Sequence, residues 1–252
     1  ISAALIVLTL LFLTPLFYYL PQAILASVIM VAVFGLVDFR EAHHLWKTDR
    51  TDFYMLLATF TATLTLGIEL GIAVGVSLSL GMVIYRAVNP HVASLGQVPN
   101  TNYYRNVDRF SRLIQREDVL VMRFDAPLFF ANTGFFQDKL EELRNQKGEK
   151  LKLVVLNAEA ISTLDSSAVH MLHDLIKEYR AAGIDIFLAS AIGPVRDILY
   201  KSGLIEEIGA DHLFVNVHDA ITHFDTRDKD YNWSQVAIQT NELSKSGSRL
   251  WD

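Results

Sequence analysis

Within the stretch LVVLNAEAISTLDSSAVHMLHDLI, three neighbouring residues have the types and spacing that could carry chemistry: Asp165, Ser166 and Ser167. The apolar run LVVLN exits into a loop and a helical pattern resumes at Ser166, so Asp165 falls where a helix N-cap belongs. A carboxylate in that place accepts bonds from the free amides of the first turn, contributing about 0.5–2 kcal/mol relative to alanine. Ser166 and Ser167 then occupy the first turn, where exposed amides and the positive end of the helix dipole favour an anion or a phosphoryl group. The chemistry open to the two serines is phosphate acceptance. From local physics alone, capping is the simpler role for Asp165, and paired serines in a first turn are common without phosphorylation.

Other reactive constellations are missing from the sequence. His43 with His44, and His170 with His173, could be offered as metal pairs, but no carboxylate or cysteine cluster completes either one. Solvated or capping histidines are expected there, and no metal. There is no nucleophile with a matching base, no P-loop and no GxGxxG after a strand, so neither an enzyme nor a cofactor is expected. The 252 residues include no cysteine, which excludes disulfides and thiolate catalysis and suits a cytosolic soluble part. Residues 87–252 carry 18 basic and 23 acidic side chains, without the basic footprint that nucleic-acid binding requires.

The elements that must hold the Asp165 loop alternate along the chain. DVLVMRFD (118–125), LKLVVLN (151–157), IDIFLAS (184–190) and HLFVNV (212–217) read as strands. Helices are expected over 133–146, with Phe136, Leu140 and Leu143 on one face, from Ser166 to about Ala182, from Pro194 to Gly203, and over 218–224. This order predicts an α/β domain with parallel pairing and strands buried on both faces.

The first third of the chain has a different character. Residues 1–37, 53–68 and 70–85 contain no charged side chain. A bilayer core about 30 Å thick asks for roughly 20 apolar residues per helix. Pro21 divides the first stretch, which predicts spans at about 2–19 and 22–38. The loop DFREAHHLWKTDR carries three of the four basic residues of this region, with Trp46 as an interfacial anchor. Two shorter spans, 53–68 and 70–85, flank Glu69, which reads as a solvated turn residue rather than a proton-coupling carboxylate. Four spans put both the 38–52 loop and everything after Arg86 on the cytosolic side. Gly71, Gly75 and Ser79 are spaced for close helix packing, although glycines are also simply common in membrane helices. An opening Ile, no basic n-region and an apolar run beyond the roughly 7–15 residues of a signal peptide point to the C-terminal part of a longer membrane protein.

The LDSSA loop, the strand before it, the helix after it and GIDIFLASAIGPVRDILYKSGL together resemble the STAS domain, a fold shared by anti-sigma-factor antagonists and the cytosolic ends of SulP sulfate-permease-type transporters. In the antagonists a DSSG loop is phosphorylated at its second serine, which matches Ser167; Ala168 stands where that pattern has Gly. The membrane half resembles the closing spans and linker of a SulP transporter through LTLLFLTPLFYYLPQAILASVIMVAVFGLVD, LWKTDRTDF, GIELGIAVGVSLSL and YRAVNPHVASLGQVPNTNYYRNV, in the same order. The resemblance implies about four spans ending an inverted-repeat transporter domain (1–86), a connector (87–101), an α/β STAS domain (102–226) and a polar, mobile tail (227–252). It further implies secondary transport of an inorganic anion such as sulfate or bicarbonate, with substrate ligands upstream of residue 1. Ser167 and Ser166 become candidate regulatory phosphosites, with Asp165 as the N-cap of their helix. Expected partners are the lipid bilayer, the anion, a second copy in a homodimer and a cytosolic protein. The location implied is the plasma (inner) membrane with the STAS domain in the cytosol. A membrane-tethered STAS signalling module without flux is the alternative.

Overall fold

The protein is represented by a computed structural model that describes residues 2–12, 22–35 and 38–227. The polar tail from 228 and the end of the first expected span lie outside the described residues. The chain divides into two compact units, 1–81 and 82–252.

In the first unit the helices are α1 (Ser2–Phe12), α2 (Gln22–Phe34), α3 (Phe39–Thr48), α4 (Arg50–Leu66) and the start of α5 (Ile68–Val88), which continues past the boundary. Leu11, Phe34, Leu64 and Ile72 are all more than half exposed, as apolar side chains are on helices whose solvent is lipid. At 1.5 Å per residue, the 21 residues of α5 extend about 31 Å, the thickness of a bilayer core.

The expected loop at 38–52 is helical instead. Asp38 accepts from the Arg40 and Glu41 amides at 2.9 and 3.2 Å, and Asp49 accepts from Thr51 N at 2.8 Å. Each aspartate thereby caps a helix, α3 or α4, so only the residues between helices remain as turn. In α3, Phe39, Ala42 and Trp46 repeat at helical spacing on one face, with Arg40, His44 and Lys47 on another. Trp46 meets Phe53 edge-on at 5.0 Å, and the Arg50 guanidinium lies 5.4 Å from its ring. Gly67, at φ +88°, turns α4 into α5. A Cβ on Gly71 would fall 2.2 Å from Thr63 Oγ1, and one on Gly75 would fall 2.9 Å from Thr59 Cγ2. The two glycines are thus the contact line of the α4–α5 hairpin, the geometry small residues permit in lipid. Glu69 is exposed in the first turn of α5, where its charge suits the helix dipole.

The second unit is built on a six-stranded mixed sheet, β1 (Val92–Gln97), β2 (Tyr104–Asn106), β3 (Val119–Phe124), β4 (Leu153–Asn157), β5 (Asp185–Ala189) and β6 (Leu213–Phe214), in the order β2-β1-β3-β4-β5-β6. β3 to β6 pair in parallel, and β1 is antiparallel to both its neighbours. Side chains alternate between two cores. Leu120, Met122, Val154, Leu156, Ile186 and Leu188 pack under α6 (Thr133–Lys147), α7 (Ser166–Ala181), α8 (Gly193–Lys201) and α9 (Leu204–Ile208). Val119, Val121, Leu153, Val155, Phe187 and Ala189 pack under α10 (Val217–Thr226). Phe136 and Leu140 of α6 are buried and Leu143 is partly so.

Three boundaries differ from the sequence reading. Residues 87–101 do not form a plain connector: they contain the end of α5 and β1, whose Ala93 and Leu95 point into the α10 core. His91 secures the start of β1, because its carbonyl accepts from Asp125 N at 3.0 Å and its Nδ1 lies 2.8 Å from Asp125 Oδ2. Burial pushes the Asp125 carboxyl up, but the Arg123 and His91 partners outweigh it and hold the group below the usual range. The second difference is the short α9, which the sequence reading lacks; it follows Gly203, whose φ of +74° closes α8 as expected. The third is β6, which has two residues where six were expected, because the chain turns into α10 at Val217.

β1 is an interior strand, so where a polypeptide begins matters. One spanning 91–227 is expected to be soluble and to unfold cooperatively in urea, with its transition followed by circular dichroism. One beginning at 102 lacks β1 and exposes Val119 and Val121; it is expected to aggregate or melt without cooperativity. Equal stability of the two would contradict the sheet order.

Candidate functional site

The Asp165 loop sits beyond the carboxyl ends of the parallel strands, the end of an α/β sheet where loops from successive units converge. The loops after β3 and β4 are stitched together there. Leu128 N donates to Thr163 O at 3.1 Å, Asp165 N donates to Leu128 O at 3.3 Å, and Leu128 and Leu164 form a parallel bridge.

Asp165 stands at the N-cap of α7 in extended conformation, and its two carboxylate oxygens serve different segments. Oδ1 accepts from Ala168 N at 2.8 Å within its own helix start. Oδ2 accepts from Phe130 N, also at 2.8 Å, in the other loop. Ser166 and Ser167 are exposed in the first turn, while Ala168 is completely buried. The alanine methyl fills core space that a glycine would leave open, and the capping bond to its amide needs no side chain.

Asn132 extends the connection and was missed by sequence reasoning. Standing just before α6, it has the sequence signature of an N-cap, yet its side chain caps nothing. Completely buried, it accepts from Phe129 N at 2.9 Å through Oδ1. Its Nδ2 donates to Pro127 O at 2.9 Å and to Ala87 O, in the last turn of α5, at 3.2 Å. A contiguous polar path therefore runs from the Ser167 turn through Asp165, the 127–132 loop and Asn132 to the end of α5.

The remaining candidates lie elsewhere. His173 Nε2 is 2.8 Å from Glu207 Oε1 and so ties α7 to α9, while His170 is exposed on α7. His43 and His44 are exposed on α3. Beyond β4, β5 and β6 an open cleft of about 730 Å³ is lined by Arg105, Asn157, Ser190, Arg196, Tyr200 and Asp211, among others. Ser190 takes the left-handed conformation, φ +59°, at the end of β5.

The sulfate permease family profile matches residues 1–59, and the STAS domain profile matches residues 111–220. The chain belongs to the sulfate permease family. Within SulP, its relatives include the probable sulfate transporter 4.2 of Arabidopsis thaliana, 38% identical over 222 residues that cover 84% of this chain and 33% of that protein. The chloroplastic sulfate transporter 4.1 of the same plant is 37% identical, over 84% of this chain and 32% of that protein. Among solved structures, murine solute carrier 26 family member A9, an anion transporter in the inward-facing state, superposes with a TM-score of 0.72 at 27% identity. That match covers 85% of this chain and 35% of the mouse protein. The SulP chain thus spans about a third of the length of the curated relatives it matches.

Asp165→Ala removes a cap and the Phe130 bond, which is expected to cost about 1–2 kcal/mol. Asn132→Ala breaks three partly buried bonds to backbone groups and is expected to cost more, about 3 kcal/mol. Thermal unfolding of the two variants in detergent, compared with the parent, checks the ranking; the reverse order would mean that Asn132 is not the deeper anchor.

Proposed function

We propose that this chain is the C-terminal part of a secondary transporter for an inorganic anion of the sulfate class, with its STAS domain in the cytosol as a regulatory and partner-binding module. The observation that carries this reading is the pairing, on one chain and in order, of a permease-family segment with a STAS domain. The plant relatives, which are named sulfate transporters, support the substrate class. The reading makes the protein a carrier and not an enzyme. Its substrate ligands lie in the part of the relatives that this chain does not cover. It resides in the plasma (inner) membrane as a homodimer, with about four spans contributed by residues 1–86. A tethered signalling module without flux would leave the permease match at 1–59 without a role.

Ser167, with Ser166 beside it, is the control point in this reading. Phosphate there would be met by the first-turn amides of α7 but would add close to two negative charges near Asp165. Repulsion of the Asp165 carboxylate would weaken its bond to Phe130 N and, through the 127–132 loop, loosen the hold of Asn132 on Ala87. The end of α5 would respond while the sheet stays folded.

Orientation is checked by thiol labelling in a transporter whose other cysteines, if present, are replaced, since residues 1–252 contain none. Thr48→Cys is expected to resist a membrane-impermeant reagent in intact cells, and Ile68→Cys to react. External labelling of Thr48→Cys would rule out the proposed topology.

Transport itself is checked in proteoliposomes holding the complete transporter that contains this chain, with sulfate, bicarbonate, chloride and dicarboxylates compared. Sulfate is expected to accumulate. Ser167→Glu is expected to slow uptake by about twofold or more without changing the order of anion preference, and Ser167→Ala to behave as the parent. Absence of uptake for every anion defeats the transporter reading, whereas equal rates in all three proteins defeat only the control point.

A further inference from the structure

Away from the Asp165 loop, one cluster of side chains has the composition of a metal centre. Asp211, His212 and His223 each bring a ligand atom to within 4.8 Å of the other two, and His212 Nε2 lies 3.8 Å from Asp211 Oδ2. We propose that these three residues bind a divalent transition-metal ion of the zinc class. The inference is independent of the transport reading.

The local fold is shaped to present them. Gly209, at φ +97°, opens the 3₁₀ turn Ala210–His212, and His212 N donates back to Gly209 O at 3.0 Å. A Cβ on residue 209 would fall 2.8 Å from Asp211 Oδ1 and 3.3 Å from His212 Nδ1, so glycine leaves room for both side chains to gather. His212 Nδ1 is 2.7 Å from Ile208 O. A carbonyl oxygen can only accept, so Nδ1 carries the proton and the lone pair is on Nε2, the nitrogen nearer Asp211. Metal-binding imidazoles are oriented in this way, one nitrogen donating to a fixed acceptor and the other free to coordinate.

His223 arrives from α10, eleven positions along the chain, a separation with no periodic signature. The Phe187 ring lies 4.4 Å from that of His212 and 5.7 Å from that of His223, and Phe214 lies 5.2 Å from His223. These aromatic walls restrict both imidazoles. His223 is only 7% exposed, held within the core beneath α10. Asp211 is exposed and lines the 730 Å³ cleft, giving an ion a way in and leaving a side open to water.

Two imidazoles and a carboxylate select a borderline ion such as Zn²⁺ or Co²⁺ over the hard, all-oxygen preference of Mg²⁺ or Ca²⁺. With ligand distances of about 2.1 Å, donors in a tetrahedral site stand about 3.4 Å apart. The exposed Asp211 side chain would therefore move inward by roughly an ångström on binding.

The test uses the tag-free chain, purified in detergent and stripped of metal, titrated with Co²⁺ by its visible d–d absorption and then with Zn²⁺ as competitor. One Co²⁺ per chain, displaced by Zn²⁺, is expected. Asp211→Asn should weaken binding at least about tenfold, and His212→Gln should abolish the spectrum. His43→Gln and His170→Gln, at exposed histidines outside the cluster, should leave it unchanged. Replacing His223 also disturbs the core, so the decisive variants are those at 211 and 212, each first matched to the parent in metal-free thermal unfolding. No Co²⁺ spectrum at sub-millimolar metal, or a spectrum that both variants retain, overturns the proposal.

Discussion

β4 has no wet side. All five of its residues are buried, with Val154 and Leu156 facing one core and Leu153, Val155 and Asn157 directed the other way. A strand in that position must be covered on both faces and paired on both edges, because neither its side chains nor its backbone groups can turn to water. Most of the second unit follows from that requirement. β3 and β5 flank β4 in parallel, their connections are carried by helices, and the loops that leave the carboxyl ends are brought side by side. The Asp165 turn and the segment at 127–132 meet because the strands feeding them are neighbours.

Once adjacent, those loops are held by a division of labour within single side chains. A carboxylate can accept from several donors at once, and Asp165 uses one oxygen for its own helix and the other for the neighbouring loop. Asn132 uses a donor and an acceptor group in the same manner, joining Phe129, Pro127 and Ala87. Each residue links segments far apart in sequence, and the groups left behind by substituting Asn132 would be partly buried. A charge added at the exposed Ser167 therefore acts on a small, fully connected polar structure rather than on an isolated turn.

Several of these features are legible in the sequence, and the others have physical reasons for being obscure. LVVL and IFLA are continuous apolar runs, and Asp165 precedes a regular helical pattern, so both the core strands and the site loop stand out. β1 does not, since VASLGQ has small and polar residues on its weaker face and lies among Asn and Pro that resemble a connector. α3 is hidden by its charge: six of the thirteen residues in DFREAHHLWKTDR are Asp, Glu, Lys or Arg, and capping by Asp38 and Asp49 turns what looks like a loop into helix starts. Asn132 carries the signal of an ordinary cap, and nothing local announces that its amide is committed to Ala87. His212 and His223 are brought together only by the return of α10 across the sheet.

The sheet ends in a strand of three residues at β2 and one of two at β6. An exposed edge is a template on which another sheet can extend, and the hazard grows with the number of unpaired backbone groups in a row. Membrane proteins confined to two dimensions hold their appended domains at high local density, where such templating would be frequent. Edges this brief give a neighbouring sheet too little to grip, so the domain can be crowded against others without its strands serving as a template.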